Sequence, residues 1–304
     1  MTPACASARR ARPLLGTFVE VAAYAAARPV VDAAIEEAFQ ALAEVHGLMS
    51  FHERSSDVSR LNREAADHPV PVHPLTYRVL EAALELHRRS AGVFDVGVAP
   101  AMEMLGLLPR DGGMEKPAET SAPGSESIEL LPECRVRFRD RGIRIDLGGI
   151  AKGFAVDLAV ATLRRRGIWQ GLVNAGGDLA VFGPGPHTIH VRDPRDPSRL
   201  VCEVAVRGEA LASTGGRFDP CRAARSGGLA VIDPRRRQPI DGIAGATVRA
   251  PSCLIADALT KVVVIAGESA ITLLDHYDAS ALFVSRDGDV RVTSSWREAE
   301  RRAA

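Results

Sequence analysis

The stretch Ile145-Asp-Leu-Gly-Gly-Ile-Ala-Lys-Gly-Phe-Ala-Val-Asp157 begins as a strand, passes through paired glycines and a lysine, and continues as an apolar helix. Gly148, Gly149 and Gly153 let the backbone approach a ligand closely or take positive φ. The spacing predicts a helix from near Lys152, whose free N–H groups and positive dipole end face whatever sits on the turn. A strand, glycine turn and helix in this order hold a phosphate or pyrophosphate, or form no more than a tight βα connection. The run is neither Gly-x-Gly-x-x-Gly nor a P-loop, because that spacing and the Lys-Ser/Thr ending are absent.

Outward from this turn, helices alternate with short strands. Leu14 to Ala23 reads as a strand on the alternation in Phe18-Val-Glu-Val. Val31 to Met49 is an amphipathic helix with Ile35, Ala38, Phe39, Leu42, Val45 and Met49 on one face. Met49 to Asn62 reads as a polar loop, and Thr76 to Ser90 as a second helix turning Tyr77, Leu80, Leu84 and His87 inward. Residues 109–127 are rich in Gly, Pro, Ser and Glu and read as a surface excursion. Arg135 to Leu147 reads as a hairpin feeding the glycine turn, followed by helix Phe154–Arg166, strand Gly171–Asn174 and the turn Ala175-Gly-Gly-Asp178. Short strands fill Leu179 to Ile232. Asp257 is expected to open a helix, a further helix runs from Glu268 to Tyr277, and a hairpin spans Ala281 to Val292. The pattern predicts an α+β fold of hairpin-rich, mixed or antiparallel sheets with packed helices, rather than a doubly wound parallel sheet. Residues 1–304 read as a single domain, with two α+β subdomains as a variant of that reading.

Composition narrows the function. With 38 Lys+Arg against 38 Asp+Glu, nothing marks a nucleic-acid or anionic-membrane binder. Lys116, Lys152 and Lys261 are the three lysines, and two of them fall in the glycine turn and in Ala256-Asp-Ala-Leu-Thr-Lys261. Five scattered cysteines without a Cys-x-x-Cys argue against a zinc site or a disulfide framework. No run approaches the roughly 20 apolar residues of a membrane span. No apolar h-region precedes the folded part, and no signal sequence precedes Cys5, so the chain as written is expected in the cytoplasm.

Several segments then match one family in order: Leu15-Gly-Thr17, Met49-Ser50 with Ser56-Asp-Val-Ser-Arg-Leu-Asn62, and Gly92-Val-Phe-Asp95 with Val98-Ala-Pro100. The series continues with Ile145–Asp157, Val173-Asn-Ala-Gly-Gly-Asp178, Ala210-Leu-Ala-Ser-Thr-Gly215, Ile232-Asp-Pro234 and Ala256-Asp-Ala-Leu259. In these motifs the chain resembles the FAD:protein FMN transferases, the ApbE-type flavin transferases, over nearly its whole length. The resemblance implies an ApbE-like, T-fold-related architecture, FAD as substrate, Mg²⁺, and transfer of FMN to a protein threonine or serine with release of AMP. It implies flavin contacts at Leu15, His52, Val93, Phe94, Asp95, Gly148, Phe154 and Ile232. It implies metal ligands at the Ala151 carbonyl and Asp257, with Thr260 and Lys261 beside them. The implied acceptor protein carries a segment like Asp-Gly-x-Ser/Thr-Gly-Ala-Thr.

On residue type alone, other roles stay open. Asp257 suits a helix N-terminus, Asp95 a turn cap, Asp178 closure of the Gly-Gly turn, and Phe94 and Phe154 a core. His52 stands where the family usually has a stacking tyrosine. Two further departures bear on chemistry. The family's usual histidine base, three residues before the Asp-Pro, is Ala230 here, which leaves His190 and Asp233 as alternative bases. The family's threonine ligand, four residues after the metal Asp, is Lys261, and Thr260 lies about 100° round the helix from that direction. Lysine suits a phosphate contact and does not ligate metal while protonated. Asp241-Gly-Ile-Ala-Gly-Ala-Thr247 is itself similar to the acceptor sequence, with Ala244 in the acceptor place; the plain alternative is a turn before strand Thr247–Ala250. Beside the transferase stand two other readings, an FAD-binding protein without transfer activity and a Mg²⁺-dependent FAD pyrophosphatase.

Overall fold

The first two strands, β1 (Ala6–Leu14) and β2 (Thr17–Ala25), are joined by the two-residue turn Leu15-Gly16. Both turn residues are left-handed, with φ of 56° and 70°. This is the conformation a tight hairpin needs, and it is costly for leucine. The structure, a computed structural model, describes residues 6–25, 27–109, 123–215, 231–240 and 242–297. Ala230 and most of the 109–127 excursion lie outside the described residues.

Helix α1 (Arg28–Met49) buries the face that its periodicity predicts. It is followed by α2 (Asp57–Glu64), β3 (Val70–Pro71), α3 (Pro74–Arg89) and α4 (Ala99–Met104). Strands β4 (Ile128–Leu131) and β5 (Arg135–Phe138) join β3 in a small sheet of order β3-β5-β4. Next come α5 (Ala151–Arg165), β6 (Gln170–Ala175), β7 (Asp178–Phe182), β8 (His187–Asp193) and β9 (Asp196–Val206). The remaining elements are β10 (Ala210–Gly215), β11 (Ile232–Asp233), β12 (Gln238–Pro239), β13 (Ile243–Ala250), α6 (Cys253–Ala266), α7 (Ile271–His276), β14 (Ser280–Ser285) and β15 (Val290–Val292).

The main sheet has eight strands in the order β1-β2-β6-β7-β10-β13-β14-β15, each antiparallel to its neighbours. It is the α+β arrangement the hairpins predict, with antiparallel pairing throughout. Alternation decides its two faces. Val19, Val21, Val173, Ala180, Phe182, Ala212, Val248 and Phe283 point into the core shared with α1, α5 and α6. Leu172, Val181, Leu211, Leu282 and Val284 point the other way, onto the β8–β9 hairpin and the fully buried Trp296. Among the described residues, no helix is long and apolar enough to cross a membrane.

Four local readings of the sequence are corrected. Leu14–Ala23 is not one strand: Leu14 ends β1, Leu15-Gly16 make the hairpin turn and β2 begins at Thr17. The loop Met49–Asn62 contains α2, capped by Ser56, whose hydroxyl accepts from the Ser59 N–H at 3.0 Å; such caps are worth about 1 kcal/mol. Arg135–Leu147 forms no hairpin of its own: β5 at its start pairs back with β4, and the chain from residue 139 to the glycine turn is irregular. Asp257 does not open its helix: α6 starts at Cys253 behind the Ser252 cap. The Cys253 and Leu254 amides donate to Asp157 of α5 at 2.8 and 2.9 Å, so α5 caps α6 from the side. In the segment similar to the acceptor sequence, Ala244 falls at a bulge of β13, within the main sheet between β10 and β14.

Candidate functional site

One cavity of about 490 Å³ lies beside the N-terminus of α5, inside the range of roughly 300–1,000 Å³ typical of ligand pockets. Each part of its wall has a local cause. The Leu15-Gly16 turn brings Leu15 and Thr17 to one side, and the left-handed pair Gly176-Gly177 brings Gly176 next to them. Helix α3 ends with the Gly92 N–H donating to the His87 carbonyl at 2.9 Å, a helix-stop turn that delivers Val93 and Phe94 to the rim. Met49, which ends α1, and Phe51 and His52 just past it also line the cavity, as do Ile232 and Pro234. Gly148, Gly149, Ala151, Lys152 and Lys261 make the remaining end. The cavity is therefore largely apolar and aromatic away from the glycine turn, and charged at the turn itself, where the ammonium groups of Lys152 and Lys261, each paired with a carboxylate, stand with Asp146.

The charged end is built from two ion pairs. Lys152 Nζ lies 2.6 Å from Asp178 Oδ2, and Lys261 Nζ contacts Asp257 Oδ1. Asp257 is fully buried; its other oxygen accepts the Gly153 N–H at 3.0 Å. Burial works against ionisation of Asp257, and the Lys261 and Lys152 ammonium groups more than offset it, holding the carboxyl below the usual carboxylate range. Burial and the neighbouring Asp257 instead push Asp178 up. Burial also opposes the charge on Lys152, but Asp178 and Asp257 outweigh it and hold the ammonium above its ordinary value. The aliphatic stem of Lys261 crosses Gly149, where an added Cβ would lie 3.5 Å from its Cε.

Of the residues named from sequence, Leu15, His52, Val93, Phe94, Asp95, Gly148, Ala151, Ile232 and Lys261 share this one cavity wall. Phe154 does not: it sits in the core with the Arg78 guanidinium 5.6 Å from its ring centroid. Its position on α5 turns it away from the glycine turn. Asp95 reaches the wall, yet Oδ1 accepts from the Gly97 N–H at 2.6 Å and from the Ser125 hydroxyl at 2.6 Å, so it caps the turn. Asp178 does not close the Gly-Gly turn; Asn174 does, accepting the Gly177 N–H at 2.9 Å. The Lys152–Asp178 pair had no signal in sequence, since its partners stand on a helix and a strand that only tertiary structure joins.

Neither alternative base faces the cavity as a base. His190 stands on β8, 3.2 Å from Glu203, over the opposite face of the sheet. Burial pushes Asp233 up, but the hydrogen bonds and charge of Arg235, with the charge of Arg236, together outweigh it and hold the carboxyl below its usual range. The Arg235 N–H and Nε donate to it at 3.0 and 3.2 Å.

Residues 15–283, which supply every wall of the cavity, match the family model described as the ApbE family. The chain belongs to the ApbE family. It is 26% identical over 243 residues to an FAD:protein FMN transferase of Vibrio cholerae, covering 75% of this chain and 71% of the relative. It is 26% identical over 323 residues to the FAD:protein FMN transferase of Treponema pallidum, covering 94% and 86%. The crystal structure of the ApbE protein of Thermotoga maritima shares the fold, with a TM-score of 0.84 at 24% identity over 97% of this chain and 100% of that one.

A magnesium ion, expected from the ApbE resemblance, is a poor match for the donors present. Mg²⁺ takes oxygen ligands in near-ideal octahedral geometry. Both Asp257 oxygens already have partners, in the Gly153 amide and the Lys261 ammonium. Thr260 is fully buried and its hydroxyl donates to the Asp257 carbonyl at 2.7 Å, turned back along α6. An ammonium group stands where the third ligand is expected. The metal readings of Ala151, Asp257, Thr260 and Lys261 do not fit these residues as a set.

Proposed function

We propose that this ApbE-family chain is an FAD:protein FMN transferase, moving FMN from FAD to a threonine or serine hydroxyl of an acceptor protein with release of AMP. The observation that carries the reading is the cavity in which an apolar wall of Leu15, Val93, Phe94 and Ile232 meets a glycine turn that presents the paired ammonium groups of Lys152 and Lys261. Such a wall suits a flavin ring, and the turn suits a pyrophosphate. The N-terminus of α5 and the two ammonium groups favour an anion there. In the reaction the acceptor oxygen bonds to the flavin-side phosphorus while that phosphorus parts from the bridging oxygen. AMP leaves with the bridging oxygen, and the hydroxyl proton is released. The acceptor is read as a protein carrying an Asp-Gly-x-Ser/Thr-Gly-Ala-Thr-like segment.

The test is incubation of the purified protein with FAD and a peptide carrying Asp-Gly-x-Thr-Gly-Ala-Thr, with and without Mg²⁺. Covalently flavinylated, fluorescent peptide and an equal amount of AMP are expected. FMN plus AMP with unlabelled peptide identifies a pyrophosphatase instead, and intact bound FAD identifies a binding protein. Failure to retain FAD under any condition overturns the reading.

His52 makes a second expectation. It is exposed at the cavity mouth, its ring centroid 6.2 Å from that of Phe51. An imidazole offers a flavin or adenine less stacking area than a phenol ring. His52→Tyr is expected to tighten FAD binding about fivefold, the equivalent of about 1 kcal/mol, read from flavin fluorescence quenching. Unchanged affinity removes His52 from the binding wall.

A further inference from the structure

We infer that Lys261 supplies, as a tethered ammonium, the positive charge that the family resemblance assigns to a magnesium ion, so that this chain binds FAD without a divalent metal. The inference rests on the flavin reading of the cavity. Its first support is position. Lys261 stands four residues after Asp257 on α6, the place of the expected threonine ligand. The second is geometry: Nζ contacts Asp257 Oδ1 and lies 3.1 Å from the Asp257 carbonyl oxygen, so it sits against two of the oxygens a metal at this residue would use. The third is access. The Lys261 side chain retains 22% exposure, lines the cavity and crosses Gly149, so the ammonium is anchored at the glycine turn yet open to a ligand.

Charge balance points the same way. Asp178 and Asp257 are matched one for one by Lys152 and Lys261. A dication placed among these groups would stand beside two ammonium groups and compete with Lys261 and the Gly153 amide for the Asp257 oxygens, with Asp146 the further carboxylate on the cavity wall. Threonine at position 261 would free one Asp257 oxygen and leave a single ammonium, the arrangement in which a dication becomes favourable. Lysine delivers one unit of charge where a dication delivers two, so the substitution exchanges affinity for independence from metal.

The test compares FAD affinity in EDTA and in Mg²⁺, with Mn²⁺ as an electron-paramagnetic probe of metal binding, in the wild type, Lys261→Thr and Lys261→Arg. In the wild type, FAD affinity is expected to agree within about twofold in EDTA and Mg²⁺, with no Mn²⁺ retained. Lys261→Thr is expected to lose about tenfold or more in EDTA, the scale of one charge-assisted contact, to regain it with Mg²⁺, and to retain one Mn²⁺. Lys261→Arg keeps the charge and is expected to bind FAD in EDTA; circular dichroism of all three checks folding. Wild-type binding that rises tenfold with Mg²⁺, or Lys261→Thr binding equally well in EDTA, overturns the inference and leaves the flavin reading standing. Absence of FAD binding in every condition overturns the flavin reading and this inference with it.

Discussion

Gly153→Ala is expected to lower the melting temperature by roughly 5–10 °C and to abolish FAD binding. The cause is the closeness of α5 to α6. A Cβ on Gly153 would come 2.2 Å from the Cys253 carbonyl oxygen and 2.8 Å from Asp257 Cβ. Both are parts of a packed helix, so the two helices must separate rather than one side chain rotate. Overpacking of this kind costs about 3 kcal/mol, each kcal/mol being worth roughly 2–4 °C in a chain somewhat shorter than this one. Separation also breaks the Gly153 N–H bond to Asp257 and displaces Lys261 from the glycine turn. Gly47→Ala is the control. It lies within α1 with nothing within 4 Å of its added Cβ, so it is expected to stabilise slightly, by up to about 1 kcal/mol. Thermal melts of both variants check the pair; equal behaviour would mean that the helix contact is looser than described.

The second large effect is expected from Asp257→Asn. Asparagine keeps an oxygen for the Gly153 amide but removes the charge facing Lys261, which leaves an ammonium at the cavity floor with a neutral partner. Breaking a buried ion pair from one side costs 3–5 kcal/mol; the low end, about 3 kcal/mol, applies because Lys261 retains 22% exposure. Removing the unpaired ammonium as well, in Asp257→Asn with Lys261→Met, keeps an acceptor for the Gly153 amide and is expected to recover most of this loss. The pH dependence has a definite sign. Asp257 is held below its ordinary value of 3.8, so its contribution is complete above that value and is lost as pH falls through the lower folded value. Urea unfolding of the wild type and Asp257→Asn should therefore differ at neutral pH and converge only below about pH 3.8. A constant difference across the acid range would mean that packing, not charge, holds this residue.

How much of this was legible in the chain depends on where the physical signal was local. The core face of α1 and the alternation of Phe18-Val-Glu-Val are periodic signals, and the structure uses both as read. Strand β1 escaped because it is an edge strand whose half-buried positions, Ala6, Ala8 and Arg10, are alanine and arginine, so its alternation does not show as a hydrophobic period. Helix α2 escaped because eight residues burying Asp57, Val58 and Leu61 are too few and too polar to show one. The start of α6 was misplaced although Ser252 is a good cap, because its second cap, Asp157, comes from α5. At the site, the ordered motifs led to most of the cavity wall. They did not tell lining residues from those beneath them. Phe154 faces the core and Asp95 spends its oxygens on a turn, since the direction of a side chain depends on neighbours far away in sequence. Lys261 is the opposite case: it was visible as a departure, and only the contact with Asp257 gives the departure a physical meaning.

The central claim is that the cavity at the glycine turn seats FAD with its pyrophosphate between Lys152 and Lys261. A crystal structure of the protein with FAD tests it most directly. The account predicts pyrophosphate oxygens within hydrogen-bond reach of both ammonium groups and the flavin ring against Val93 and Phe94. FAD bound elsewhere, such as the adjoining cavity lined by Arg88, Arg235 and Arg237, would contradict it.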